Sequence, residues 1–571
     1  MNQPTPAIVA QGAVRRLPRI ALLILCAAYV LPGFLGREPW KSADMAAYGY
    51  MAELARGGTD WMSPQLMGLS PDDGALLPYW LGAWAIQLAP DWMASDFAVR
   101  VPFALILMLT LVATWYASYY LARNPQAQPV AFAFGGEAQP PDYARAMADG
   151  SLLAFIACLG LAQLSHETTA ALTQLCFTSL TFFAFAALPY RSLAPLVCAV
   201  LGLTGLTLSG APVIAALFGG GSTLIYLLDR SPESGSARTK VFWAGGIALL
   251  SALMGQLTNS LNLSHWHIEL PNASWAEWRS MGRLLLWFTW PTWPLAVWTL
   301  WRWRHQLIHG GGAPSRHLSL PLWFSSVAIT ATLSTASADR CLLLALPALA
   351  ALAAFALPTL KRSMAALIDW FTLLFFSGCA FIIWTIWISM QTGVPSQPAA
   401  NVARLAPGFE PSFALFPFMM AFGATLAWAW LVKWRVGRHR AAIWKSLVLP
   451  AGGAVLCFLL LMTLWLPALD FARSYNPLVQ RIMLVMAKAD CVEVHGLSRG
   501  HIAALRFHGH LEAKPAGSRA GCPWLIVNKD AMTTLPDSVD LTNWSLHGSM
   551  RHPSDRNEDL RVYRRNRRAP D

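Results

Sequence analysis

The chain has 571 residues, 55% of them hydrophobic and only 13% charged, with 27 tryptophans. That composition excludes a soluble globular protein and places the chain among multi-span membrane proteins. The net charge of +12 does not signal nucleic-acid binding, because the basic residues are scattered over many loops instead of forming one footprint.

From the N-terminus, Arg15, Arg16 and Arg19 precede a first apolar run at 20–36. That run has no small-x-small cleavage signature and leads straight into a charged loop, so it is expected to remain as a span. Further runs at 97–122, 151–164, 170–190, 193–208, 212–228, 241–257, 284–303, 318–334, 341–358, 366–390, 412–432 and 447–468 bring the predicted total to roughly thirteen. The alternate loops on the N-terminal side carry Arg123, Arg191, Arg230, Arg238, Lys240, Arg302, Arg304, Lys361, Arg362, Lys433, Arg435, Arg438 and Arg440. By the positive-inside rule the N-terminus is expected in the cytoplasm and the C-terminus outside.

Between the first two runs lies REPWKSADMAAYGYMAELARGGTDWMSPQLMGLSPDDGALLPYWLGAW, within Arg37–Arg100. Trp40, Trp61, Trp80, Trp84 and Trp92 alternate there with carboxylates, a mixture suited to work on a lipid substrate at the membrane–water boundary. Tryptophan rings settle at headgroup level, and a positioned carboxylate there can act as an acid or base. Downstream, 124–150 is a Pro- and Gly-rich inner loop. The outer loop 258–283 holds HWHIELPNASWAEW, and a second outer loop spans 391–411. In the former, His265, His267 and Glu269 alternate along an extended stretch, a set that leaves a divalent metal open as a cofactor.

The expected domains are a transmembrane unit, 1–468, with a large first outer loop at 37–96, and a soluble unit, 469–571. In the soluble part VQRIMLVMAKADCVEVHG, SRGHIAALRFHG, CPWLIVNKDAM and LRVYRRN predict alternating helix and strand in a small α/β module. His495, His501, His508 and His510 are too irregularly spaced for a zinc site. Seven cysteines lie in apolar runs. Cys491 and Cys522 fall in the exported module, where an oxidising compartment permits a disulfide.

The first loop resembles that of the GT-C membrane glycosyltransferases, in the bacterial branch of protein O-mannosyltransferases and lipid A aminoarabinose transferase. The resemblance rests on Asp44, Ala52-Glu53, Asp60-Trp61 with Pro64, Pro78-Tyr79-Trp80 and Arg100, in that order. Asp339-Arg340 followed by LLLALPALAALAAFALP is similar to the family's later span. The resemblance implies an all-α polytopic GT-C fold in a bacterial inner membrane, with the α/β module in the periplasm. It also implies transfer of a sugar from a polyprenyl-phosphate donor to a lipid, glycan or protein acceptor on that side. Asp44 is then the expected catalytic carboxylate, taking the acceptor proton or orienting the acceptor. Arg37, Lys41, Arg56, Arg100 and Arg340 are the cations available to the donor phosphate, and Tyr79 and Trp80 line the substrate site.

The chain departs from the family where Met45 follows Asp44, where Asp72-Asp73-Gly74-Ala75 replaces an expected lysine, and where Thr173-Gln174 replaces a second acid. Glu167, beside His166 at an outer span boundary, is the nearest carboxylate that could supply it; ionisable groups at such boundaries are functional candidates. Each site residue also has a plainer reading: Asp44 as a helix cap, His166-Glu167 as a polar helix end, SPDDG as an ordinary turn, Arg100 as a snorkelling boundary residue and Asp339-Arg340 as an ion pair. Two rival functions stay open at this point. One is a lipid-linked glycan transporter or flippase, which predicts charges along the mid-span; the other is a catalytically inactive assembly subunit of the same fold.

Overall fold

In hydrocarbon every backbone amide must find its partner within the chain, so long apolar runs fold as helices. The structure, a computed structural model, describes residues 5–229, 237–260, 274–308, 315–335, 338–436, 442–486, 489–517, 521–555 and 558–566. The trio His265, His267 and Glu269 and the basic residues Arg230, Arg438, Arg440, Arg567 and Arg568 lie outside them. Among the described residues, six helices are long and apolar enough to cross a membrane: Ser95–Ala122, Ala170–Ala187, Thr239–Thr258, Arg362–Thr392, Leu415–Arg435 and Ile443–Leu464. Arg19–Val30, Leu193–Leu208, Pro212–Leu228 and Leu346–Thr359 are shorter apolar helices.

Prolines interrupt two of the expected runs. The stretch 284–303 divides into Trp275–Phe288 and Thr292–Arg302, with Pro291 and Pro294 at the break. The stretch 341–358 divides into Ala338–Leu343 and Leu346–Ala356, the second opening on Pro347. Proline has no N–H to give, so it starts a helix far more readily than it continues one.

Helix Ser95–Ala122 packs along Ala170–Ala187 and Pro140–Ala157, and Leu346–Ala356 fills the centre with every residue buried. Helices Arg362–Thr392 and Leu415–Val436 instead expose Leu374, Phe381, Phe416 and Trp430. Large apolar side chains facing outward fit a bilayer as solvent. At the first outer loop, helices Ala43–Ala55 and Leu77–Leu88 form a layer over one end of this bundle. Trp61 stacks near Trp84, and Trp84 and Trp92 are exposed, as an interfacial aromatic belt requires.

The C-terminal part builds a five-stranded sheet of β1 (Cys491–His495), β2 (Glu512–Pro515), β3 (Trp524–Asn528), β4 (Trp544–Arg551) and β5 (Asp559–Arg565), ordered β2-β1-β3-β5-β4. β1 runs parallel to both neighbours and β5 antiparallel to both of its own. Helix Arg499–Phe507 connects β1 to β2 and lies on the loop helix Ala43–Ala55. There Arg506 pairs with Glu53 at 2.6 Å, and Arg499 holds Asp72 at 2.7 Å and the Ser70 carbonyl at 2.9 Å. The sheet domain therefore covers the first outer loop.

Cys491 and Cys522 form a disulfide across 31 residues, tying β1 to the segment that enters β3. Closing a loop of that length restricts the unfolded chain by about 3–4 kcal/mol. Cys491→Ser is expected to lower the melting temperature of the purified protein, and thiol alkylation with mass spectrometry should find both sulfurs blocked before reduction.

Candidate active site

Asp44 opens the loop helix Ala43–Ala55, seven residues after Arg37, and its carboxylate is buried. Each oxygen accepts two donors. Oδ1 takes the Thr168 N–H at 2.8 Å and the Thr168 hydroxyl at 2.7 Å. Oδ2 takes the Trp40 N–H at 3.1 Å and the guanidinium of Arg37. Burial alone would raise this carboxyl, but Arg37, both Thr168 donors and Trp40 outweigh it and hold Asp44 below the usual carboxylate range. Asp44 is thus an ionised, fully satisfied group that joins the first outer loop to the turn before helix Ala170–Ala187.

That turn, Ser165–Thr169, carries the other sequence candidates. Glu167 is buried and pairs with Arg340 at 3.9 Å. His166 sits inward, with Nδ1 2.6 Å from the Ala162 carbonyl, Nε2 3.1 Å from the Tyr29 carbonyl, and its ring stacked on Phe458. Gly33 makes this approach feasible, since a Cβ there would meet the His166 ring at 2.1 Å. The SPDDG turn closes on the same region. Leu76 N–H donates to the Leu208 carbonyl at 2.8 Å, and Gly210, at φ +83°, lets the Asp73 carbonyl come where a side chain would collide. Burial raises the Asp73 carboxyl against the opposing charge of Arg340. Tyr79 is buried beside Tyr50, 5.2 Å between ring centroids.

The structure brings Asp44, Arg37, His166, Glu167, Arg340, Asp73 and Tyr79 to one end of the bundle. Arg100 is buried there as well, held by Asp96 at 2.8 Å and within electrostatic reach of Asp44 and Arg37. The remaining candidates have other partners. Lys41 binds Asp555 at 2.6 Å, Arg56 is exposed and turned back on Glu53 at 3.2 Å, and Trp80 donates to the Trp61 carbonyl at 2.7 Å.

Sequence reasoning did not single out Thr168, Glu38 or Asp470. Glu38 accepts from Ser474 at 2.5 Å and Asn476 at 2.8 Å. Asp470 accepts the Trp40 indole N–H at 2.7 Å, and Trp40 itself lies between the guanidinium groups of Arg37 and Arg473, 4.5 and 5.2 Å from its ring. Burial pushes the Asp470 carboxyl up to about 6, opposed by the Trp40 hydrogen bond and helped by the nearby Glu38 charge. A signal for Asp470 exists in LPALDFAR, where an acid follows the last apolar run much as Asp44 follows the first. Among the described residues no cluster of His, Cys, Asp or Glu is disposed to hold a metal ion.

No family model and no curated protein matches the sequence. Solved structures do match its fold. Against ArnT from Cupriavidus metallidurans bound to undecaprenyl phosphate, the TM-score is 0.58 at 12% identity, covering 96% of this chain and 98% of that one. Against the apo state of the same ArnT it is 0.56 at 13% identity, covering 95% and 96%. The chain has the GT-C fold. The alignment spans the bundle and the sheet domain together, so both parts of the architecture expected from the sequence are present in one known arrangement.

Removing one partner of a buried ion pair strands the other, at a cost of about 3–5 kcal/mol. Arg37→Met is therefore expected to lower the thermal stability of the detergent-solubilised protein markedly, and Thr168→Val to lower it less. Asp470 works in the opposite sense. Its folded pKa lies above the unfolded value, so the stability it contributes is present at low pH and is lost as pH rises through about 6. Asp470→Asn keeps the Trp40 acceptor but does not titrate. The melting temperature of wild type relative to Asp470→Asn should fall between pH 4.5 and pH 7.

Proposed function

We propose that the protein is a glycosyltransferase of a bacterial inner membrane, moving a sugar from a polyprenyl-phosphate donor to a lipid, glycan or protein acceptor. In this reading the N-terminus is cytoplasmic and the sheet domain periplasmic, in keeping with the Lys and Arg distribution. The fold shared with an ArnT that binds undecaprenyl phosphate supports the donor class. The observation that carries the reading is the Ser165–Thr169 turn. Through Thr168 it is anchored to Asp44, and through Glu167 it meets Arg340, so one short segment couples a fixed carboxylate to a carboxylate–guanidinium pair.

The chemistry follows from that division. Asp44, with every lone pair engaged, positions the turn and is a poor proton acceptor. Glu167 takes the proton as the acceptor oxygen attacks the anomeric carbon. The bond from that carbon to the donor phosphate oxygen breaks, and the phosphate leaves with the electron pair. Arg340, in a 3.9 Å contact with Glu167 and partly open to solvent, meets the charge that develops on the leaving phosphate. Arg37 and Arg100 are each neutralised by a carboxylate, Asp44 and Asp96, and serve to hold that end of the loop in place. This arrangement sits at the bundle end beneath the first outer loop, as surface chemistry needs, and not at mid-span where a transporter would place its charges.

Transfer of label from radiolabelled polyprenyl-phosphate sugars should be measured in membranes carrying wild type, Asp44→Asn, Glu167→Gln and Arg340→Gln. Glu167→Gln is expected to cut kcat by about a hundredfold or more, and Arg340→Gln to reduce kcat/KM for the donor. Asp44→Asn should abolish transfer by loosening the turn. Wild type inert with every donor would instead favour the assembly-subunit reading.

A further inference from the structure

The opposite end of the bundle holds a polar cavity of about 500 Å³ that takes no part in the chemistry above. It lies between the N-terminal segment at Ile8–Ala13, the start of helix Arg362–Thr392, the end of helix Leu415–Val436 and the turn Ile443–Leu447. Helix Val448–Leu464 separates it from Asp470, which puts the two sites roughly 25 Å apart along the membrane normal.

Its charges do not balance. Arg362, Arg435 and Lys445 line it against a single acid, Asp369. Asp369 is already taken by Arg435, whose Nε lies 3.2 Å from Oδ1 and whose Nη2 bonds Oδ2. Lys445 is only 6% exposed. Its ammonium has the Trp434 ring 5.2 Å away but no hydrogen bond or ion pair among the described residues. Arg362 stands at the rim, exposed and likewise without an acceptor among them. Lys445 shares the field of Asp369 with Arg435, so three cations stand against one acid and the cavity keeps a net positive charge suited to an anion. The remaining wall is apolar, with Ile8, Leu357 and Ile443, and beside it Leu367 and Trp370 of the same helix as Asp369 face outward at 60% and 65% exposure. A ligand lodged there would have its charge among Lys445 and Arg362 and its tail along that lipid-facing helix. The volume suits a headgroup and the first carbons of its chains.

We propose that this cavity binds the phosphate headgroup of an anionic phospholipid from the leaflet on the N-terminal side. The ligand chemistry is a phosphate ester with a net negative charge. Its apolar continuation along the exposed face of helix Arg362–Thr392 assigns it to a lipid in preference to a soluble ester.

The full-length protein in detergent should be titrated with dioleoylphosphatidylglycerol and, separately, with glycerol 3-phosphate, binding being read by native mass spectrometry and by the shift in melting temperature. Phosphatidylglycerol is expected to bind wild type and Lys445→Arg, and to bind Lys445→Met about tenfold more weakly, the loss of one charged hydrogen bond. Arg362→Gln, at the exposed rim, should weaken it in the same direction and serves if Lys445→Met does not fold. Phosphatidylglycerol binding that is unchanged in both Lys445→Met and Arg362→Gln would overturn the assignment. So would glycerol 3-phosphate binding as tightly as the lipid, since the phosphate would then come from a soluble source.

Discussion

The arrangement of the outer end of this protein depends on one buried anion. Taking a carboxylate out of water costs several kcal/mol even after relaxation, and Asp44 recovers that only because four donors converge on its two oxygens. The donors come from places far apart in sequence: Arg37 and Trp40 from the entry to the loop helix, Thr168 from the turn between two spans. None of these segments could drift without uncovering the charge. A group that cannot shed or share its lone pairs is badly suited to accept a proton, and well suited to fix the geometry of groups that can. The turn it fixes also carries Glu167, which meets Arg340 at 3.9 Å.

The same logic extends outward through Trp40. Its backbone N–H serves Asp44 while its indole N–H serves Asp470, and its ring is faced by Arg37 and Arg473. Asp470 and Ser474 belong to the stretch that leaves the last span, and Glu38 grips Ser474 and Asn476 from the other side. Lys41, Asp555 and Glu558 add a further tie, and Arg499 and Arg506 hold the loop from the sheet domain's own helix. The sheet domain is therefore fastened to the first outer loop at its start, through Lys41, and along its middle, through Glu53 and Asp72. The cover over that loop is thus partly supplied from residues 490 onward.

Much of the fold was legible because membrane residence imposes simple rules. Apolar run length set out the helices, and composition after residue 476 set out the small α/β module, while the Cys491–Cys522 bond was permitted there but not decided. The exact division of runs was not legible, because Pro291 and Pro347 turn single apolar stretches into pairs of helices. At the outer end, Asp44 was singled out by resemblance and Glu167 and Arg340 by their place at apolar boundaries, and the structure brings the three to one region. Thr168 was not, since nothing in LSHETTAAL says which hydroxyl will meet a carboxylate 124 residues earlier. The different fates of Lys41, Arg56 and Arg340 were equally hidden. Lys41 and Arg56 lie in the loop itself and are engaged elsewhere, while Arg340, from a later helix, is the one that packing brings to Glu167.

The SPDDG turn shows how far a plain sequence reading can mislead by being correct. It is a turn, as its composition says, with Gly74 in the left-handed region at φ +57°. Yet its position is set by long-range contacts: Arg499 of the sheet domain on Asp72, the Leu208 carbonyl on Leu76, and Gly210 receiving the Asp73 carbonyl. These contacts bring the Asp73 carboxyl into the field of Arg340, the same guanidinium that meets Glu167. Where the resembling family has a lysine, this chain has carboxylates. Arg340, reaching in from a later helix, supplies positive charge at a point where the local sequence supplies only negative. A cation contributed from a distant segment balances the site as well as a local one would, because electrostatics depends on separation in space and not along the chain.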